Sequence, residues 1–259
     1  MRATSIFVSS IAILAATLGF QQLSVLAAPV ASPSDLDWIH ASDPFSLLLE
    51  ARALVGGEFI GFHGTNGANA NAYQAQARRG GGIPVPPAFN GADAELGPGI
   101  YVTDDITVAQ FFATSSASAN QNRGNRQGGA NVATICVVTA NNQNDWRTRI
   151  PKVWVPVNEI AKSVNGRNDP AKLALQERRI AAAHGTPTNT VRFSALDVND
   201  PNSTRTGNQL VIPSGVQNQF SIQVCVPVSG SVNQLPAQLH TPAFPQFNYQ
   251  QMRVPWHIV

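Results

Sequence analysis

The chain has 259 residues and a formal net charge of +2, with 43% hydrophobic and 12% charged residues. This length and apolar content are enough for one globular domain with a substantial core. The nearly neutral charge, without clusters of Lys and Arg, argues against a nucleic-acid-binding domain. Few charges among many Asn, Gln, Ser and Thr residues are typical of an extracellular protein surface.

The first 27 residues predict a secretory signal peptide. Arg2 supplies positive charge, an apolar run extends from Ile6 to Phe20, and small residues precede a cleavage site after Ala27. A membrane anchor is the alternative, but the apolar run is short for a span and no second run follows. We therefore expect a secreted, soluble, extracellular protein without a membrane span.

The mature chain is predicted to have three parts. Residues 28–57 form a lead-in and one helix, for which Asp43 is a suitable N-cap and Pro44 a suitable first-turn residue. Residues 58–228 form the folded domain. Residues 229–259 are a Pro- and Gln-rich extension without periodicity, and we expect this extension to wrap the surface.

Within the folded domain, short apolar runs alternate with helical patterns and glycine or proline breaks, which predicts an α+β fold. Two stretches are expected to be loops: residues 83–98, whose proline content is typical of a functional lid, and the low-complexity residues 114–131. The predicted elements are strands over 58–63, at Tyr101, and over 132–139, 153–157, 209–212 and 220–226, with helices over 66–79, from Asp104 or Asp105 to Phe112, and from Asp169 to about His184.

The chain contains two cysteines, Cys136 and Cys225, and both lie in predicted strands. An even cysteine count in a secreted chain favours one disulfide. Such a bond would close a loop of about 90 residues. Two buried free thiols on separate strands are the alternative that the sequence leaves open.

The end of the first strand has the features of a ligand cleft. The apolar run Phe59 to Phe62 is followed by His63, Gly64 and Thr65, which suit a strand end better than a core. Gly64 allows the backbone to approach a flat ligand, because it has no Cβ. The ring of His63 can donate a hydrogen bond through one nitrogen and accept one through the other.

Two further motifs, Gly99-Ile100-Tyr101 and a strand that begins at Asn208-Gln209, complete a pattern. Together with Phe62-His63-Gly64-Thr65, they resemble the three motifs of diphtheria-toxin-like ADP-ribosyltransferases and poly-ADP-ribose polymerases. That family is recognised by a His, a Tyr and a Glu on three separate strands. It also places a second aromatic residue eleven positions after its motif Tyr, and that position is Phe112 in this chain. The resemblance covers roughly residues 58–227.

The resemblance implies an α+β, ADP-ribosyltransferase-like fold: two small packed antiparallel or mixed β-sheets with flanking helices around an NAD cleft. It implies that the Gly64 backbone holds the nicotinamide carboxamide and that His63 binds the adenosine-side ribose. Tyr101 and Phe112 would sandwich the nicotinamide ring, and Thr65 completes the expected NAD site. NAD would be a substrate, with no tightly bound cofactor and no metal site.

The third motif departs from the family, because Gln209 stands where the catalytic Glu is expected. A Glu would orient a ribose hydroxyl and meet the positive charge that develops on the ribose, whereas Gln keeps a carbonyl acceptor and lacks the charge. We expect His63, Tyr101 and Gln209 to be the catalytic positions. Glu159 and Glu177 are the alternative carboxylates for the third motif.

The resemblance therefore predicts a secreted NAD-consuming enzyme of the toxin or effector type. The enzyme would be a mono-ADP-ribosyltransferase or an NAD glycohydrolase that cleaves the nicotinamide–ribose bond. Its expected partners are NAD and, for a transferase, a protein acceptor of ADP-ribose, and the chain is expected to act as a monomer. The alternative from another functional class is a catalytically inactive NAD-binding or effector module on the same fold.

Overall fold

In the computed structural model, the part of the chain that is described belongs to one compact unit, 43–259. The expectations for the signal peptide, for the helix after Asp43 and for the loop tip at 85–94 lie outside the described residues. No helix in the described part is long and apolar enough to cross a membrane. The described residues are 53–54, 57–84, 95–125, 127–161, 163–164, 167–196, 207–228, 239, 244–245 and 247–259.

Helices and strands both occur along the described chain, so the expected α+β class is confirmed. The α-helices are α1 (Gly67–Arg78), α2 (Ile106–Asn122), α3 (Gln143–Thr148) and α4 (Pro170–Ala182). The strands are β1 (Ala53–Leu54), β2 (Gly57–Asn66), β3 (Ile100–Thr103), β4 (Ala133–Ala140), β5 (Lys152–Trp154), β6 (Ser163–Val164), β7 (Arg167–Asn168), β8 (Val191–Ala195), β9 (Asn208–Ile212) and β10 (Phe220–Pro227).

One mixed sheet forms the centre of the fold, with strand order β10-β4-β2-β3-β9-β8-β5 and with β1 paired to β2 off this path. Neighbouring strands are antiparallel except β5 and β8, which are parallel. β6 and β7 form a separate antiparallel pair. The expected architecture has two small packed sheets. The structure has one main sheet instead, because β2 and β3 are paired within it.

The junction between β2 and β3 is narrow. A single backbone pair, Phe62 with Thr103, joins the two strands. β2 pairs instead along its length with β4, and all four residues of β3 pair with β9. The two halves of the sheet are therefore held by their own ladders and begin to separate immediately after Phe62.

Gly61 allows the two halves to meet. A bulge in β2 falls between Phe59 and Gly61, and Gly61 has a positive φ of 152°, which residues with a side chain rarely adopt. A Cβ at this position would lie 2.5 Å from the carbonyl oxygen of Thr103. The close approach of β2 and β3 therefore requires glycine.

Apolar side chains pack on both faces of the sheet, because successive strand residues point to opposite faces. Three clusters of buried residues result, one on the face that receives the aromatic residues of the chain end, one under α2 and one beside α4. Their members include Ile60, Val102, Val138, Phe193, Trp146 and Trp256 in the first, Phe62, Ile135, Ile106 and Ala113 in the second, and Leu96, Val153, Ile180 and Val211 in the third.

The last residues of the chain belong to the core. Tyr249 and Trp256 are fully buried. The Tyr249 hydroxyl donates to the carbonyl oxygen of Ile60 (2.9 Å), and the Trp256 indole N–H donates to the carboxylate of Glu58 (2.8 Å). The expectation that this extension wraps the surface is therefore wrong for these residues. Their burial was not predicted, because buried aromatic residues in consecutive turns leave no periodic pattern in the sequence.

The structure also differs from the expectation at α2 and at β8, and the short elements β1, α3, β6 and β7 were not predicted. α2 continues to Asn122, so residues 114–122 are helical rather than part of a loop, and Ala113 and Ala117 on this helix are buried. β8 was not predicted. Its apolar positions alternate with Arg192 and Ser194, yet both of these polar residues are also buried, so the strand lacks an exposed face.

Cys136 of β4 and Cys225 of β10 are direct partners in the antiparallel ladder and form a disulfide. The expected disulfide is therefore confirmed, and the alternative of two free thiols is wrong. The bond ties the edge strand β10 to β4, which in turn pairs with the motif strand β2.

Reduction of this disulfide is expected to lower the free energy of unfolding by up to about 4–5 kcal/mol. The reason is that the bond spans a sequence separation of 89 and restricts the unfolded chain. Denaturant unfolding of the oxidised protein and of the reduced, alkylated protein measures the difference, with the double variant Cys136→Ala/Cys225→Ala as a control for alkylation. Equal unfolding free energies for all three forms would contradict this prediction.

Candidate functional site

The three motif strands are neighbours in the main sheet, in the order β2, β3, β9. His63 lies on β2, Tyr101 on β3 and Gln209 on β9. Thr103 of β3 pairs with Gln209 on one side and with Phe62 on the other. The fold thus brings the three predicted catalytic positions onto adjacent strands, although they are far apart in the sequence.

His63 lies at the point where β2 and β3 separate. Its Nδ1 is 2.7 Å from the carbonyl oxygen of Tyr101, so the ring spans the gap that the backbone ladder leaves. Because a carbonyl only accepts, Nδ1 donates, and Nε2 of the neutral ring is an acceptor. Nε2 is buried, and no hydrogen-bond partner reaches it from the described residues.

The electrostatic surroundings of His63 favour the neutral ring. Burial lowers the pKa of His63, and the hydrogen bond to the Tyr101 carbonyl opposes this effect only in part. The residue as a whole is partly exposed, but Nε2 itself is shielded from solvent. The ring therefore offers a lone pair to a hydroxyl donor in a dry environment.

Tyr101 anchors a turn above the sheet. Its hydroxyl donates to the carbonyl oxygen of Gly97 (2.9 Å) and accepts from the backbone N–H of Leu96 (2.9 Å). The Tyr101 residue is half-buried, and Leu96 is fully buried. The hydroxyl thus fixes the described end of the proline-rich loop over the face that Tyr101 shares with β9.

Gln209 lies under the same turn. It is 4% exposed, and its Nε2 donates to Oε2 of Glu95 at 3.4 Å. Glu95 belongs to a stretch that is expected to be a loop, and its contact with Gln209 was not predicted from the sequence. Proximity to Gln209 depends on a contact between residues that are 114 positions apart, for which the sequence carries no local signal.

The sheet face beneath this turn is polar and buried. Residues paired across antiparallel strands share a face, so Arg192 lies on the same face as Tyr101, and Ser194 lies on that of Gln209. Positions two apart on a strand also share a face, so Tyr101, Arg192, Ser194 and Gln209 all lie on one face of the sheet. Within the described structure, Nε of Arg192 and Oγ of Ser194 have no hydrogen-bond partner.

Arg192 carries a desolvated charge under the turn. One guanidinium nitrogen donates to the carbonyl oxygen of Pro98 (3.3 Å), and burial lowers the pKa of Arg192 to about 10. A Cβ on Gly97 would lie 2.7 Å from Nη1 of Arg192, and Gly97 has a φ of 87°. Glycine at this position therefore allows the turn to lie directly on the guanidinium.

Asp104 fixes the start of β9 beside the end of β3. Its carboxylate accepts hydrogen bonds from the Asn208 backbone (2.9 Å), the Asn208 side chain (2.6 Å) and the Tyr249 backbone (2.8 Å). Burial raises the pKa of Asp104, and these hydrogen bonds oppose the shift. Of the two residues expected to cap α2, Asp104 and Asp105, Asp105 is the cap, and its carboxylate accepts from the Thr107 backbone (2.7 Å).

Gly64 and Thr65 have structural contacts next to His63. A Cβ on Gly64 would lie 1.9 Å from the carbonyl oxygen of Ala109, so glycine is needed for α2 to pack against β2. Thr65 is buried, and its hydroxyl accepts from the side-chain amide of Asn69 (3.2 Å). The NAD contacts expected of these two residues stay predictions.

Phe112 lies half-buried on α2. Its ring centroid is 5.6 Å from that of Phe111 in an edge-to-face arrangement, and Phe111 is 38% exposed. The sandwich of nicotinamide by Tyr101 and Phe112 stays a prediction.

The two alternative carboxylates of the third motif have other positions. Glu159 forms a bidentate ion pair with Arg179, at 2.5 and 2.6 Å, in a single 3₁₀ turn. Glu177 is exposed on α4. Neither residue begins a strand as the motif requires. Across the described ranges, no three His, Cys, Asp or Glu side chains are grouped to hold a metal ion.

The profile of one protein family, described as a family of unknown function (DUF5910), matches residues 94–258. The chain belongs to the DUF5910 family. The part that matches DUF5910 contains Tyr101, Phe112 and Gln209, whereas His63 lies before it. No curated protein matches the chain.

In this DUF5910 protein, Tyr101→Phe is expected to lower the free energy of unfolding by about 1–2 kcal/mol. The reason is that the backbone groups of Leu96 and Gly97 lose their shared partner. Denaturant unfolding measures the effect, and Tyr249→Phe, which removes the buried bond to Ile60, sets the scale for loss of a phenol hydroxyl. An unchanged unfolding free energy for Tyr101→Phe would mean that the hydroxyl does not hold the turn.

Proposed function

We propose that this protein cleaves the nicotinamide–ribose bond of NAD in a cleft between β2 and β3. The observation that carries the proposal is the ring of His63, which is bound through Nδ1 to the Tyr101 carbonyl and presents a buried, unpartnered Nε2 where the strands separate. An unpartnered buried acceptor is costly and rare in native structures, and a ligand donor would satisfy it. Gln209 lies on β9 of the same sheet, with β3 between it and the His63 strand.

The same proposal includes an ADP-ribosyltransferase-like fold. Three features of the described chain support it: a sheet joined at its middle by one backbone pair, adjacent motif strands, and a helix that follows the tyrosine strand directly. The narrow junction favours a cleft, because strands that diverge expose backbone edges and side chains between them.

The first half of the site would bind the substrate. After Phe62, β2 has no ladder pair with β3 in these fully described strands, so the backbone groups of β2 that face β3 lie outside the ladder. Backbone N–H and C=O groups on such an edge match the donor and acceptor of a carboxamide. Nε2 of His63 would accept from a ribose hydroxyl, since the lowered pKa keeps the ring neutral.

The second half of the site would stabilise the reaction. As the bond to nicotinamide breaks, positive charge develops on the ribose, and the carbonyl oxygen of Gln209 offers a dipole to it. Gln209 is almost fully buried, and electrostatic interactions are stronger where water is excluded. The ribose would then pass to water in a glycohydrolase or to a protein side chain in a transferase.

The burial of Gln209 also favours a second candidate function, an NAD-binding module without turnover. At 4% exposure, the amide is largely covered by the fold around it, including the turn that holds Glu95, which limits the approach of a substrate. Both candidates are proposed for a secreted protein of the toxin or effector type. The disulfide is compatible with such an oxidising location.

Nicotinamide release from NAD is the deciding measurement for the purified protein. We expect release by the wild type, a reduction of about tenfold or more in His63→Ala because the ribose acceptor is lost, and a comparable loss in Gln209→Ala. Gln121→Ala is the matched control for Gln209→Ala, because Gln121 is exposed near the end of α2.

Three results would decide between the candidates or contradict the proposal. NAD binding without nicotinamide release would favour the module without turnover. Absence of both binding and release would contradict the NAD proposal. Full activity of Gln209→Ala in an active protein would show that Gln209 is not at the reaction centre.

A further inference from the structure

We infer that Glu95 supplies the negative charge that the third motif lacks, as a positioning residue that acts through Gln209. The inference rests on the proposed function. Its basis is the hydrogen bond from Nε2 of Gln209 to Oε2 of Glu95 at 3.4 Å. Gln209 itself is only 4% exposed. The carboxylate missing from the strand is thus provided by the turn above it.

The backbone of Glu95 is firmly held. Its carbonyl oxygen accepts from the backbone N–H of Ala161 (3.1 Å) and from the side-chain amide of Gln176 (2.9 Å). Gln176 is 2% exposed and also donates to the carbonyl oxygen of Glu159 (3.0 Å). The next residue, Leu96, is fully buried and bonded to the Tyr101 hydroxyl. Packing and hydrogen bonds therefore hold the main chain at Glu95, from which the carboxylate reaches Gln209.

This contact determines how Gln209 presents its amide. An ionised carboxylate accepts hydrogen bonds and cannot donate, so Nε2 is directed toward Glu95 and Oε1 is directed away from it. A hydrogen bond from an amide N–H to an anion shifts electron density toward the amide oxygen. Gln209 would then be a stronger acceptor for a ribose hydroxyl than an isolated glutamine.

The charge of Glu95 also acts directly. The 3.4 Å contact is longer than the usual 2.7–3.2 Å, so the hydrogen bond itself is weak. Coulomb attraction falls only with the inverse of distance, and because Glu95 is half-buried, solvent screens its charge only in part. A carboxylate one side chain away from the ribose would still stabilise the developing positive charge.

Exchange of the two side chains tests this inference. The variants are Glu95→Gln, Gln209→Glu and the double variant Glu95→Gln/Gln209→Glu, which keeps one carboxylate and one amide in the site. Glu177→Gln is the matched control, because Glu177 is exposed on α4. For each protein, kcat and KM for nicotinamide release and the melting temperature are measured.

We expect Glu95→Gln to lower kcat by about 10- to 100-fold with a smaller change in KM, because the lost charge matters most in the transition state. Gln209→Glu alone should not exceed wild type, since two adjacent carboxylates disfavour each other's ionised form. The double variant should recover at least about tenfold in kcat over Glu95→Gln, because it restores one charge beside the ribose.

Two results would overturn the inference. One is an unchanged kcat in folded Glu95→Gln, and the other is a double variant no more active than Glu95→Gln. If Glu95→Gln fails to fold, Glu95→Asp and Glu95→Asn form a second isosteric pair that differs only in charge. Equal kcat values for these two variants would also overturn the inference.

The two proposals fail in distinguishable ways. A wild type that releases no nicotinamide overturns the proposed function and this inference together. A wild type that is active and loses activity in His63→Ala, but keeps it in Glu95→Gln, preserves the proposed function and removes Glu95 from the site.

Discussion

The structure depends on how β2 and β3 meet. One backbone pair, Phe62 with Thr103, and one side-chain bond, from His63 to the Tyr101 carbonyl, join strands that each pair fully elsewhere. The bulge at Gly61 makes this contact possible. If the ladder continued, the sheet would close and His63 would be an ordinary core residue. Because the ladder stops after one pair, the ring of His63 makes the next contact between the two strands.

A buried polar group without a hydrogen-bond partner costs stability, at about 1–3 kcal/mol for each such group. Nε2 of His63, Nε of Arg192 and Oγ of Ser194 are such groups in the described chain. The surrounding fold offsets this cost through apolar clusters on both faces of the sheet, the disulfide, and the carboxylate of Asp104, which joins β3, β9 and the chain end.

Local patterns in the sequence were enough for the motif strands and for α4, because Asp169 and Pro170 are a strong helix start and the runs around His63, Tyr101 and Gln209 are short and apolar. They were not enough for β8, whose Arg192 and Ser194 are polar yet buried. Neither the Glu95–Gln209 contact nor the burial of Tyr249 and Trp256 has a local signal. Each of these depends on residues about 100 or more positions apart, and long-range contacts are set by tertiary packing.

The most direct test of the cleft is a crystal structure of the protein with a carbocyclic NAD analogue that cannot lose nicotinamide. The account predicts the nicotinamide ring between β2 and β3 against the backbone of Gly64, with a ribose hydroxyl within about 3.2 Å of Nε2 of His63. An analogue bound elsewhere, with Nε2 of His63 still lacking a partner, would contradict it.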